Sequence, residues 1–481
     1  MPALLFLTYP NKCRIPVGAG RGLGDGCDGV LAGRTGRRSE TDVSEPLPQP
    51  LPPLVQERLD ALRERPIEPA EKGFGSLRGR VSAASMAAAR PPLTEAGLVF
   101  PLLTLRESAL AGNLAAMAGY CARAGVALAP HGKTAMSPEL AARQLAHGAW
   151  GITVASIGQL QTYRAFGFPR LLLANELTDT AGIAWLTGEL AADPGFEAYC
   201  YVDSLDGVAI LDRVLRRHPA GRPLPVLVEI GHAGGRTGCR TDEQALEVAR
   251  AAQASGTLTV AGVAGYEGTI SGAAEGQVPA AGSGLREVPG EVAAFCRRLR
   301  GLADVLGEGP ALPIVTAGGS AYFDVVTREL TAGGAVPVQV IVRSGAYLTY
   351  DHGFYGTVSP AGRGAAGAPA LRPALELWAQ VLSRPEPGLA LLGAGRRDAG
   401  FDMGLPVPLR VLGRDTSTDG WSITGLNDQH AFLRLDAGAE LRPGEVVGLG
   451  ISHPCTTLDK WRVLVVLNDD DLVIDIVHAF F

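Results

Sequence analysis

Eight short apolar runs recur between residues 126 and 348, each separated from the next by a segment with helical spacing. They are VALAPH (126–131), GITVAS (151–156), RLLLAN (170–175), EAYCYVD (197–203), LPVLVEI (224–230), TVAGVAGYEG (259–268), PIVTAGG (313–319) and QVIVRSGAYL (339–348). Strands that are apolar on consecutive positions are buried on both faces, as in a parallel sheet covered by helices. Eight such β/α units predict a closed (β/α)8 TIM-type barrel. An open doubly wound sheet is the other arrangement the rhythm allows. The intervening segments carry helix ends. Ser137-Pro138-Glu139 supplies an N-cap, a proline at the first helical position and an acid in the first turn. Ser156 and Gln159 have capping-box spacing, and Leu110, Leu114, Met117 and Cys121 share one helical face.

After about residue 370 the rhythm stops, and strand-like runs alternate with Pro-Gly and Asp-rich turns. This predicts a mainly β C-terminal domain over 370–481, behind a barrel over 100–369, with FPLLTL (100–105) free to return and pair with it. Residues 58–99 read as a lead-in. Residues 1–57, rich in Gly, Arg, Ser and Pro, read as a disordered tail, with Met86 as a conceivable later start.

The chain is 46% hydrophobic and 19% charged, enough to bury a large core. Its 43 basic and 49 acidic residues leave a net charge of −6, which excludes a nucleic-acid binder or an anionic-membrane binder. No run of 18 apolar residues spans a membrane, and the opening MPALLFLTY lacks the basic region of a signal peptide. Seven cysteines, odd in number and without a CxxC, form no disulfide framework. Cys121, Cys200 and Cys296 sit in apolar segments and read as small core residues. A reducing, cytoplasmic setting is expected.

Only four of the 43 basic residues are lysines: Lys12, Lys72, Lys133 and Lys460. Where Arg serves for general positive charge, a surviving Lys points to amine chemistry. Lys133 follows the first run in Pro130-His131-Gly132-Lys133-Thr134, at the end of a strand where barrel enzymes place their chemistry. It is the candidate Schiff-base lysine, with His131 beside it. Gly318-Gly319-Ser320, between the seventh run and a helix, offers backbone N–H groups and a hydroxyl to a phosphate. Arg236, among glycines after the fifth run, either points at a ligand or is an exposed loop arginine. Tyr266 and Tyr347, also at strand ends, either contact a planar cofactor or pack. His453 and Cys455, two apart on what reads as an extended segment, point the same way and suit one zinc ion, though two ligands are not a complete site. His131, Asp351 and His352 are candidates for a further contact.

PHGKT, SPEL, LLLANEL, GGRTGC, GYEG, TAGGSAYFD, RSGAYL, RPALE, LNDQHA and ISHPCTTLDKW follow one another in an order that resembles the D-serine dehydratase-like amino-acid deaminases. These are pyridoxal-phosphate enzymes of the alanine-racemase fold type, related to D-threonine aldolases, and the resemblance covers residues 58–481. It implies that Lys133 holds pyridoxal 5'-phosphate, that Gly318, Gly319 and Ser320 cradle its phosphate, and that Arg236 and Tyr266 lie beside its ring. It implies that His453 and Cys455 bind Zn2+. The aldolase branch has His and Asp there, so Cys455 favours dehydration. The resemblance further implies a small D-amino-acid substrate with a β-hydroxyl, such as D-serine, yielding a 2-oxo acid and ammonia, and a homodimer. Retro-aldol cleavage to glycine and an aldehyde is the nearest alternative, and a non-catalytic pyridoxal-phosphate carrier is the alternative of another class.

Overall fold

The computed structural model describes residues 48–270, 288–306, 312–436 and 438–481. The chain enters through two helices, α1 (Pro53–Glu64) and α2 (Ala83–Ala89), and one strand, β1 (Leu102–Arg106). The repeating part follows: α3 (Glu107–Ala124), β2 (Ala127–Leu128), α4 (Pro138–Ala146), β3 (Ile152–Val154), α5 (Ile157–Ala165), β4 (Arg170–Glu176), α6 (Thr180–Ala192), β5 (Glu197–Val202), α7 (Leu205–Arg217), β6 (Leu224–Ile230), α8 (Asp242–Ser255), β7 (Leu258–Gly265), α9 (Val288–Leu306), β8 (Ile314–Ala317), α10 (Phe323–Thr331) and β9 (Gln339–Val342).

Strands β2–β9 form one parallel sheet in the order β2-β9-β8-β7-β6-β5-β4-β3. Its two outer strands meet. Trp150 N–H donates to the Leu128 carbonyl at 2.7 Å, Thr153 N–H to the Pro130 carbonyl at 3.0 Å, and His131 pairs with Thr153 in a parallel bridge. The sheet therefore curls round on itself, as an eight-unit β/α repeat requires. All eight apolar runs of the sequence are strands.

The helix ends form as their sequences specify. Ser137 caps α4 by accepting from Leu140 N–H, and Ser156 caps α5 by accepting from Gln159 N–H. The Gln159 side chain accepts from Ala155 N–H rather than from Ser156, so the capping box is only half formed. Leu110, Leu114, Met117 and Cys121 of α3 are all buried against the barrel.

Beyond α11 (Phe354–Val358), the chain builds a second sheet from β10 (Leu375–Glu386), β11 (Leu389–Leu392), β12 (Val407–Val411), β13 (Ser422–Leu426), β14 (Ala431–Arg434), β15 (Val446–Gly450), β16 (Val463–Leu467) and β17 (Val473–His478), with a short helix α12 (Cys455–Leu458). β1 lies inside this sheet, antiparallel to β10 and parallel to β16. The segment 100–105 thus belongs with the C-terminal β domain, which is not confined to residues 370–481.

The expected tail boundary at 57 is corrected. α1 begins at Pro53, and its Val55 is 0% exposed in the main core. A proline at the first turn and apolar residues at 55, 59 and 62 make an amphipathic helix that the Pro-rich composition concealed. Residues 1–47 of that tail lie outside the described residues. Among the described residues, no helix is long and apolar enough to cross a membrane.

Candidate active site

The barrel interior is filled by an apolar layer of Ala129, Leu172, Tyr201, Leu227, Ala264, Ile314 and Ile341. Side chains alternate along a strand, so residues two further on face inward again, one step nearer the C-terminal mouth. Those positions are His131, Asp203, Glu229, Tyr266, Thr316 and Arg343, with Glu176 reached from Leu172 through Ala174. The mouth is therefore a polar ring standing on an apolar plug. It opens as a cleft lined by His131, Lys133, Glu229, Arg236, Tyr266 and Arg343, among others.

Lys133 lies in a 3-10 turn, Gly132–Thr134, directly after β2. Tyr163 donates its hydroxyl to the Gly132 carbonyl at 2.9 Å, and a Cβ at Gly132 would stand 2.6 Å from that hydroxyl. Only glycine fits. The other end of the turn is held by the C-terminal segment. Phe480 N–H donates to the Met136 carbonyl at 2.9 Å, and the buried Glu139 accepts from His478 N–H at 3.0 Å and pairs with its Nδ1 at 2.8 Å. His131 presents a buried Nδ1 with no hydrogen-bond partner. Burial, reinforced by the charges of Lys133, Arg343 and Arg236, pushes its pKa well down, so the imidazole is neutral.

Gly318 takes φ = +96°, a conformation that glycine adopts without strain. Its N–H and that of Gly319 both donate to the carboxylate of Glu267, at 3.0 and 2.7 Å. Glu267 is 0% exposed, so its charge needs these donors. The turn binds an anion, as the glycines suggest, but the anion is the protein's own. Ser320 and the start of α10 are the part of the turn that Glu267 does not engage.

Arg236 stacks on the Tyr266 ring with its guanidinium carbon 4.4 Å from the centroid. Both line the cleft. Sequence reasoning passed over Arg343, which is 5% exposed and fixed by hydrogen bonds to Thr316 Oγ1 and the Gly265 carbonyl, both 2.7 Å. It stands in RSGAYL, where one arginine among 39 gave no signal. Tyr347 is not brought to the cleft. It is 2% exposed in the core, and its hydroxyl accepts from Gln144 at 3.1 Å.

The His453–Cys455 segment is not extended. It leaves β15 and turns at Pro454 into α12, with Cys455 as the first helical residue. Cys455 nevertheless stays near enough to His453 to act on its charge. His453 Nδ1 also pairs with Asp402 at 2.7 Å, and Thr456 donates to the same carboxylate at 2.6 Å. Against the pull of burial, Asp402 and Cys455 raise the His453 pKa to about 10. Burial likewise works against Asp402, but its bonds to His453 and Thr456 lower it to about 2. Asp351 does not join them. Its carboxylate is occupied by the N–H groups of Gly353, Tyr355 and Gly356. His453 and Cys455 offer an imidazole and a thiol, donor types that zinc accepts, and Asp402 is bonded to the imidazole. Cys455 Sγ lies 3.6 Å from Thr134 Oγ1, which ties this set to the Lys133 turn.

A lysine at the first strand end, a fixed arginine, an anion-binding glycine turn and unpartnered polar atoms on the wall suit a planar, phosphorylated cofactor. Comparison with known proteins agrees. Residues 105–331 match the family model of the alanine racemase N-terminal domain, and residues 374–467 match that of the putative serine dehydratase domain. A 3-hydroxy-D-aspartate aldolase of Paracoccus denitrificans is 30% identical over 387 residues, covering 78% of this chain and 90% of that one. The chain belongs to this family of pyridoxal-phosphate enzymes. A D-threonine aldolase of an Arthrobacter species is 29% identical over 372 residues, 77% of this chain and 89% of that one. Among solved structures, the D-threonine aldolase of Filomicrobium marinum superposes with a TM-score of 0.67 at 23% identity, over 81% of this chain and 96% of that one. A cysteine-to-alanine variant of D-threo-3-hydroxyaspartate dehydratase in the metal-free form superposes with a TM-score of 0.63 at 21% identity, over 80% of this chain and 98% of that one. The fold is that of the alanine racemases, and the family's enzymes are lyases.

Proposed function

We propose that this lyase is a zinc-assisted dehydratase of D-serine or a related D-β-hydroxy amino acid, releasing a 2-oxo acid and ammonia. The observation that carries the reading is Cys455, near His453 and set against the Lys133 turn, with Asp402 bonded to His453. Bound pyridoxal phosphate supplies an electron sink for negative charge at Cα. His453 and Cys455 would hold a zinc ion, which would supply a Lewis acid for the leaving hydroxyl.

The chain's own groups do the rest. Lys133 holds the cofactor, and its amine accepts the Cα proton. Arg343, held by Thr316 and Gly265, presents a positive charge that cannot swing away. The neutral imidazole of His131, which lines the cleft, adds no charge beside Lys133. Asp402 orients the His453 ring through Nδ1. The same reading includes a homodimer, which light scattering checks.

A second reading, retro-aldol cleavage, is favoured by the names of the aldolases to which the chain is 29% and 30% identical. One panel separates the readings. D-serine, D-threonine and 3-hydroxy-D-aspartate are each assayed for 2-oxo acid with ammonia and for glycine with aldehyde. Dehydration predicts the first pair in equal amounts. Glycine with an aldehyde transfers the assignment to the aldolases, and no product from any substrate leaves a non-catalytic carrier. Chelation, or Cys455→Ala, is expected to stop dehydration while the visible band of the lysine-bound cofactor persists. Full-rate turnover of the chelated enzyme would exclude zinc from the leaving-group step.

A further inference from the structure

Three carboxylates stand together where β4, β5 and β6 end. One oxygen each of Glu176, Asp203 and Glu229 lies within 4.8 Å of the other two. Strand register produces this. Glu176 is level with Tyr201, and Val202 with Val228, so Asp203 and Glu229 follow side by side. Glu229 is 5% exposed and its Oε2 has no hydrogen-bond partner, and both carboxylate oxygens of Glu176 are buried in the same condition. Asp203 accepts from Gly238 N–H through one oxygen.

A group of another kind faces the same place. Tyr201, on the inward face of β5, is 2% exposed, lines the cleft with Glu229, and has a hydroxyl without a partner. Buried carboxylates at such separations repel one another strongly, and a buried hydroxyl without a partner is costly. Arg343, the buried cation of the same ring, gives its bonds to Thr316 and Gly265 instead. Burial, then the neighbouring Glu229 and Asp203 carboxylates, push the Glu176 carboxyl up.

We propose that Glu176, Asp203 and Glu229 form a binding site for a hard divalent cation of the Mg2+, Mn2+ or Ca2+ class, with the Tyr201 hydroxyl facing it. All-oxygen donor sets select such ions, whereas the nitrogen and sulfur of His453 and Cys455 select zinc. Ligands about 2.0–2.6 Å from a common centre are at most about 5 Å apart, as these carboxylate oxygens are. The ligands come from three neighbouring strands, so the site is rigid and forms one wall of the cofactor cleft. It is read from side-chain placement alone and does not depend on which reaction the enzyme catalyses.

The test uses Mn2+ as the probe, followed by electron paramagnetic resonance on the full chain carrying its cofactor. One saturable Mn2+ is expected, displaced by excess Mg2+ or Ca2+. It persists in the double variant His453→Asn, Cys455→Ser, and is lost in Glu229→Gln and in Asp203→Asn. Circular dichroism reports whether each variant folds. If Glu229→Gln does not, the half-exposed Asp203 supplies the same readout. Absence of saturable Mn2+ in the unaltered chain overturns the proposal. So does a Mn2+ that leaves with His453 and Cys455 but survives in Asp203→Asn.

Discussion

A thiol ionises according to what surrounds it, and the cysteines of the described residues divide on that basis. Burial pushes the thiols of Cys121, Cys200 and Cys239 up to about 12, and Cys296 is raised by the same cause. At pH 8 these four hold almost no thiolate, which is the form that reacts. Cys455 is only half buried and lies beside His453. Iodoacetamide at pH 8 is therefore expected to label the Cys455 peptide first among these five, and zinc to protect it, as read by peptide mass mapping. Labelling of Cys239 or Cys121 ahead of Cys455 would mean that their burial is not maintained in solution. Asp402 shows why a residue can be decisive and still invisible in the sequence. It reaches His453 across 51 residues from a loop with no periodicity to mark it. Glu176 and Glu229 lie at the ends of β4 and β6. In strands apolar on both faces, however, alternation does not tell which face is inward until the barrel has closed.

Single elements carry more than their length suggests. α1 contributes Val55, Leu59 and Leu62 to the core, and α2 packs close by with a complete Ser82–Ser85 capping box. A chain beginning at Arg58 loses the first turn of α1 and the burial of Val55. Against a chain beginning at residue 48, it should be less stable by about 2 kcal/mol or more in urea denaturation. Equal midpoints would mean that α1 is an ornament. The barrel strands were readable because continuous apolar runs bounded by glycine and proline leave few alternatives. β12 and β13 were not. They are short, and Pro408 and Gly425 break their patterns at the register shifts where each pairs with its neighbour.

At the scale of the molecule, the barrel and the β domain are not separable at residue 370. β1 precedes the barrel in sequence but is flanked by β10 and β16 in the second sheet, and Trp378 Nε1 donates to Thr104 Oγ1 at 2.9 Å. Fragments 1–369 and 370–481 are each expected to expose strand edges and aggregate when expressed alone, and to regain cofactor binding only when produced together. A soluble 370–481 fragment with native β-sheet circular dichroism would contradict this. The same strand sets an order on biosynthesis. Thr104 leaves the ribosome long before Trp378, its partner 274 residues later. Through that interval Leu102, Leu103 and Leu105 wait with no sheet to join. Slow translation of the barrel would prolong that wait, and chaperone demand should peak on the nascent chain before residues 375–467 emerge.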